Sequence, residues 1–256
     1  MADLQMRRMG RRALQGDPEA MAHEVVMRIR AGSLPRNHVI YAAHLGSPLA
    51  QSIEPAYQIV TACSNCRARR EERTRRNRES RRTPLRETPR SCLACKGAGR
   101  TFLQKGLIRF VQNVEDVPHR LLVAWAADCA EHQCEALSPR NPHAFQGRYR
   151  LPGQPERNPY LPERILPMVR QYLETGKIDP LIYQSASVST SHTRKLGVPV
   201  ALATMTALVD IEGSEIKVRY HAAEIASDAY HAAGGTRDER TWQEECLIRY
   251  LLSYQG

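Results

Sequence analysis

The sequence has no long hydrophobic run, which argues against a membrane protein. Its longest candidate, Leu121 to Ala127, is far shorter than the ~20 apolar residues that a membrane-spanning helix needs. The basic stretch from Met1 to Arg12 is not followed by an apolar segment, so we expect no secretory signal. With 42% hydrophobic residues and a mean hydropathy of −0.50, the chain is predicted to be soluble, mostly globular and cytoplasmic.

The sequence also lacks the common catalytic motifs. It contains no phosphate-binding loop, no H-E-x-x-H, no G-x-S-x-G and no dinucleotide-binding fingerprint. Two pairs at helical spacing, His221 with Glu224 and Asp228 with His231, are able to poise a proton donor, but we interpret them as part of an exposed helix face. We therefore expect no catalytic residues and no enzymatic activity.

Cysteine is present in an odd number, seven, without a signal for secretion, which favours a reducing compartment and metal binding over disulfides. Three of the cysteines fall at helical spacing among apolar neighbours, where a free thiol behaves as a small hydrophobic group. We expect these three to be buried in the core. They are Cys129, Cys134 and Cys246.

The other four cysteines form two C-x2-C pairs that are separated by 25 residues: Cys63 with Cys66, and Cys92 with Cys95. Two such pairs facing each other supply the four thiolates of a tetrahedral, closed zinc site. The separation slightly exceeds the usual ~15–20 residues, but a longer loop costs little additional closure entropy. The spacing predicts structural Zn²⁺, with an iron–sulfur cluster or unligated thiols as the alternatives.

The second pair resembles the C-x-x-C-x-G-x-G unit of DnaJ-type zinc domains, with Cys92, Cys95, Gly97 and Gly99 in the matching positions. No glycine follows Cys66 closely, and the four-knuckle, two-zinc arrangement of that family is absent. The resemblance therefore implies a hairpin-like metal knuckle without chaperone activity.

Arginine is concentrated between the two pairs. The stretch from Arg67 to Arg90 holds eleven arginines, no lysine and four glutamates, so its net charge of +7 is most of the chain's +10. It is similar in composition to the arginine-rich peptides of phage antitermination proteins, which fold as a helix on structured RNA. Guanidinium groups bind phosphate in a bidentate manner and stack on bases, which favours nucleic acid, with RNA or single strands preferred. The alternative is a solvated loop with internal Glu–Arg bridges. The predicted nucleic-acid contacts are Arg67, Arg69, Arg70, Arg73, Arg75, Arg76, Arg78, Arg81, Arg82, Lys96 and Arg100.

The rest of the chain is predicted to be mainly α-helical. We divide it into an N-terminal helical unit (1–59), a zinc knuckle with the arginine-rich loop (60–100), and a C-terminal helical domain (101–256) with a proline-rich loop (138–162). Asp17 and Pro18 are typical of a helix start, and Gly32 and Gly46 of helix ends. Further helices are predicted from Thr101, which is proposed as a cap, to Val114, from Leu121 to His132, from Pro162 or Pro167 to Gly176, and over 180–195, 198–211, 216–233 and 238–253. A strand from Ser214 to Tyr220 is the weaker alternative.

Two helical regions resemble a family of uncharacterised bacterial immunity proteins. The resemblance covers Leu14 to Gly46, and Ala124 to His132 together with Glu239 to Leu247. It implies an all-α fold and neutralisation of a toxin by binding. The alternative function is therefore a helical immunity or adaptor protein whose arginines bind an acidic protein partner. In the nucleic-acid hypothesis, the C-terminal helices are expected to dock a protein partner or to dimerise.

Overall fold

A computed structural model gives the fold and describes residues 2–55, 59–62, 66, 100–103, 106–114, 116–137, 162–177 and 215–253. Within these ranges the protein is mainly helical, as predicted. None of the helices described is both long and apolar enough to span a membrane. The elements are α1 (Ala2–Leu14), α2 (Pro18–Arg30), α3 (Arg36–His44), α4 (Pro48–Ile53), β1 (Val60–Ala62), β2 (Arg100–Phe102), α5 (Leu107–Asn113), α6 (His119–Leu137), α7 (Pro162–Thr175), α8 (Glu215–Ala232) and α9 (Arg237–Ser253).

The helix boundaries near the N-terminus follow local signals in the sequence. Asp17 caps α2, because its carboxylate accepts hydrogen bonds from the backbone N–H groups of Glu19 and Ala20. The bond from Ala20, together with the Arg12 guanidinium, holds the pKa of Asp17 below its usual value. The chain leaves α2 through Gly32, whose φ of +73° suits glycine. The predicted start and end of this helix are therefore confirmed.

The centre of the core is the contact between α6 and α8. Trp125 of α6 is fully buried, and so are Ala222 and Ala226 of α8. Small residues on α8 allow the two helix backbones to approach closely. Helix α9 packs against both α6 and α3, so helices from residues 1–59 and 101–256 share one hydrophobic core. The described helices thus form a common support for the strands.

A buried glutamine links three of these helices. The Gln243 side chain on α9 donates to the backbone oxygen of Ala226 and to the Glu239 carboxylate, each at 2.9 Å, and accepts from Arg240 at 3.0 Å. The backbone oxygen of Gln243 accepts from the Trp125 indole at 3.0 Å. Because Gln243 is fully buried, these bonds offset the cost of removing its amide from water.

The prediction of a helix from Thr101 is wrong. Thr101 lies in β2, and α5 begins at Leu107 after Gly106, which has a φ of +122°. Strand β2 forms because β1, about 40 residues earlier, supplies its hydrogen-bonding partner, and local periodicity does not report such a contact.

The remaining boundaries agree more closely with the predictions. Helix α7 begins at Pro162, holds Pro167 within it, and ends before Gly176. Helix α8 covers the segment from Glu215, so the alternative of a strand from Ser214 to Tyr220 is not observed over its described residues. The predicted helices over 180–195 and 198–211 lie outside the described residues, and so does the predicted proline-rich loop (138–162) except for Pro162, which is the first residue of α7.

Candidate metal centre and nucleic-acid interface

Most of the predicted site lies outside the residues that the structure describes. Of the four predicted ligands Cys66 is described and is partly buried, whereas Cys63, Cys92 and Cys95 are not described. Among the described residues, no group of three or more His, Cys, Asp or Glu side chains is arranged to hold a metal. The backbone of Arg100 is described in β2, and the other predicted nucleic-acid contacts, from Arg67 to Arg82 and Lys96, fall in the segment that is not.

The structure does describe the base of that segment. Strands β1 and β2 are antiparallel, with Val60 opposite Phe102, Thr61 opposite Thr101 and Ala62 opposite Arg100. Residues that face each other in such a pair have Cα atoms about 4.5–5.5 Å apart. The chain therefore leaves β1 and returns to β2 at neighbouring points.

This pairing limits how far apart the two cysteine pairs can lie. Cys63 directly follows Ala62, and Cys95 precedes Arg100 by five residues. Five residues span at most about 18 Å when fully extended. The two chain segments that carry the C-x2-C pairs, which we call the cysteine arms, therefore start from adjacent strands. This closeness of their starting points is compatible with one metal ion shared by both pairs.

The paired strands are attached to the helical core. The Leu103 N–H donates to the backbone oxygen of Ile59 at 2.8 Å, which extends the pairing by one step. Leu103 is buried and Ile59 packs against the core, whereas Val60 is half exposed. The base of the cysteine and arginine segment is therefore anchored to the helices on one side.

A second polar arrangement, which the sequence analysis missed, joins α6, α7 and α9. We call it the Asp128 cluster, and its members are Asp128, Glu131, Arg170 and Tyr250. Arg170 pairs with Asp128 and, at 2.7 Å, with Glu131. The Tyr250 hydroxyl donates to Asp128 at 2.8 Å. The one local signal was Asp128, a single acid inside an otherwise apolar stretch of α6.

The pKa shifts within the Asp128 cluster indicate a structural role, in which the cluster holds three helices together. Burial acts to lower the pKa of Arg170, but its hydrogen bonds to Asp128 and Glu131 outweigh that effect and raise it. Burial, then the hydrogen bond to Asp128, raises the pKa of Tyr250. At neutral pH the guanidinium is charged and the phenol neutral, so the arrangement holds helices together and does not present an activated nucleophile.

Two of the three cysteines that were predicted to be core residues are buried, as expected. Burial, and next the charge of Asp128, raises the pKa of Cys246 to about 12. Burial also raises the pKa of Cys129, and the neighbouring Cys246 adds to the effect. Since the thiolate is the reactive form, both thiols are inert at neutral pH. The side chain of Cys134 lies outside the described residues.

His132 is held by packing. Its ring stacks on Trp242 with centroids 3.8 Å apart, and Nδ1 lies 3.0 Å from the buried carboxylate of Glu239. Four other apolar residues of α6 are fully or almost fully buried: Leu121, Leu122, Trp125 and Cys129. The histidine therefore lies at the edge of the core and helps to dock α9 on α6.

The predicted His221–Glu224 pair is present on α8, with Nδ1 of His221 3.2 Å from the Glu224 carboxylate. Asp228 is partly buried on the same helix. Its pKa is raised, first by burial and then by the negative charge of Glu224, while His231 acts in the opposite direction. Folding therefore makes ionisation of the Asp228 carboxyl less favourable than it is in the unfolded chain.

We expect Asp228→Asn to raise the melting temperature at pH 7. A raised carboxyl pKa in the folded state means that stability is lost as pH rises through that pKa, and asparagine removes this loss. Below about pH 4 the carboxyl is protonated with or without folding, so the difference should shrink. Thermal unfolding between pH 3 and 8 measures this.

The matched control is Asp238→Asn, which removes an exposed acid from the first turn of α9. A carboxylate there interacts favourably with the helix dipole, so this variant should be slightly less stable at pH 7. Equal or reduced stability of Asp228→Asn at pH 7 would contradict the assignment of an unfavourable charge at Asp228.

Comparison of the chain with models of known protein families, with curated proteins and with solved structures found no match.

Proposed function

We propose that the protein is a non-enzymatic zinc-binding protein that binds nucleic acid, with RNA or single strands preferred, through the arginine-rich loop. In this proposal Cys63, Cys66, Cys92 and Cys95 hold one structural Zn²⁺. The observation that supports it is the β1–β2 pairing, which starts the two cysteine arms from neighbouring strands on a fixed base.

The donor set favours zinc with a structural role. Four thiolates close the tetrahedral coordination and leave no open position for a substrate or water. Glycines after Cys95 allow backbone N–H groups to turn toward the sulfurs, and such bonds stabilise thiolates. Between Cys66 and Cys92 the chain has almost no apolar residues beyond Ala68 and Leu85, so metal binding has to replace a hydrophobic core there.

The arginine-rich loop then acts as the polyanion-binding surface. The metal holds both ends of the loop, and a loop fixed at both ends presents its guanidinium groups with less loss of entropy than a free tail. Each arginine that meets a phosphate releases a condensed counterion, so the binding should be strongly dependent on salt and weakly dependent on sequence.

The protein purified at low salt is expected to carry nucleic acid, visible as a high ratio of absorbance at 260 nm to that at 280 nm. High salt should remove it. Titration of the stripped protein with single-stranded RNA, single-stranded DNA and duplex DNA should show an affinity that falls with salt, with a logarithmic slope of about −0.7 per phosphate contact on single strands.

A preparation free of nucleic acid, together with no binding of any of the three probes at low salt, would contradict the proposal. The alternative, a helical adaptor or immunity protein for an acidic protein partner, would then remain. A salt-independent affinity would likewise exclude phosphate contacts as the main source of binding.

A further inference from the structure

The excess of positive over negative charge in the chain falls in two stretches. One is the arginine-rich segment, with a net charge of +7, and the other is α1, which has four arginines and one aspartate. Together they account for the whole net charge of +10, so the other residues sum to zero. The second stretch is part of a described helix.

The arginines of α1 share one side of the helix. Arg7, Arg8, Arg11 and Arg12 fall within an arc of about 140°, since successive residues in an α-helix are rotated by about 100°. The opposite side includes Ala13, which is buried, and α1 packs against α2. Among the side chains of α1 that the structure describes, Ala13 is therefore buried on one side of the helix, whereas Arg8, Arg11 and Arg12 are exposed on the other.

The arginines on this side of α1 differ in whether a carboxylate already pairs with them. Arg12 is paired with Asp17 at 2.5 Å, and its other guanidinium contacts include Glu19 at 3.9 Å. Arg8 and Arg11 are exposed, and neither forms an ion pair with any residue in the described part of the chain. Two unpaired guanidinium groups one helical turn apart match the repeated negative charges of a phosphodiester backbone better than a single carboxylate.

A membrane surface fits these observations less well. An amphipathic helix binds a bilayer by burying its apolar side in it, and Ala13 on that side of α1 is already buried in the protein. Nucleic acid needs only the charged side, which is the side that is free.

We propose that Arg8 and Arg11 on α1 form a second phosphate-binding surface, which contacts the same nucleic acid as the arginine-rich loop. This inference rests on the proposed function and adds a named pair of residues to it. This surface supplies two of the contacts to phosphate. It does not contact base edges, so it adds no preference for a particular sequence.

The test is the double variant Arg8→Gln/Arg11→Gln in the full-length protein, with a single-stranded RNA as probe. Glutamine has a helix propensity close to that of arginine, so α1 should persist, and circular dichroism and the melting temperature should be unchanged. We expect the logarithmic salt slope to become less negative by about 1.4 and the affinity at 0.1 M salt to fall by about 10- to 30-fold. The matched control is Arg109→Gln/Arg237→Gln, which removes two exposed arginines from α5 and α9 and should change the affinity by less than about threefold.

Equal losses in the two double variants would overturn the inference, because the effect would then be one of net charge alone. An unchanged affinity of the α1 variant, in a protein whose wild type binds RNA, would overturn the inference and leave the proposed function intact. Failure of the wild type to bind any nucleic acid would overturn both. Binding of the wild type to anionic vesicles but not to RNA would assign the surface to membranes instead.

Discussion

Replacement of six loop arginines by glutamine is expected to weaken nucleic-acid binding by about 10³- to 10⁴-fold at 0.1 M salt. The six are Arg69, Arg70, Arg73, Arg75, Arg76 and Arg78. Each lost phosphate contact removes counterion release, so the losses multiply and should be similar for RNA probes of different sequence. The melting temperature of the helical core should change little, because the described helices pack without these residues.

The control for this experiment is the matched variant in which the same six positions are lysine. Lysine keeps the charge but lacks the planar fork that binds phosphate in a bidentate manner and stacks on bases. The lysine variant should therefore keep most of the salt dependence and lose a smaller part of the affinity. If the glutamine variant binds as tightly as the wild type, the arginine-rich segment is a solvated loop and the nucleic-acid proposal fails.

Replacement of Cys92 by serine is expected to abolish zinc binding and to unfold the cysteine and arginine segment. A structural zinc site supplies on the order of 10 kcal/mol to local folding, and this segment has little apolar surface to compensate for its loss. The amides of β1 and β2 should lose protection against hydrogen exchange, since the paired strands form the base of the site. Helices α6 and α8 should retain their protection, because their contact is made through buried residues of the common core.

Cys246→Ser is the appropriate comparison, because this thiol is buried in the helical core beside Asp128 and is not a proposed ligand. A hydroxyl at this position disturbs the packing, so the melting temperature should fall while the zinc content stays the same. Retention of zinc by Cys92→Ser, or loss of zinc from Cys246→Ser, would show that the ligands are assigned incorrectly.

The helical part of the fold was largely predictable because its signals are local. Asp17 before Pro18 marks a start through side-chain capping, and Gly32 and Gly176 mark ends through their positive φ. The burial of Trp125 and Cys246 follows from apolar residues that recur at helical spacing. These features depend on residues within one or two turns of each other.

Features that depend on distant residues were not predictable in the same way. Thr101 was assigned to a helix because nothing near it reveals that Thr61 is its partner. The pairing of Asp128 with Arg170 joins residues 42 positions apart, and Tyr250, another member of the Asp128 cluster, lies still farther along the chain. Spacing alone predicts that the four cysteines form a ligand set, whereas the choice of RNA, single-stranded DNA or an acidic protein as partner depends on a surface that spacing does not define.

The central claim is that four cysteines bind one zinc ion, and the metal content of the purified protein tests it most directly. Elemental analysis together with native mass spectrometry of the wild type should give one zinc per chain, and titration with a thiol-modifying mercurial should release that zinc as four thiolates react. Absence of zinc from protein that was produced with zinc in the medium, or release of zinc without modification of Cys63, Cys66, Cys92 and Cys95, would contradict the account.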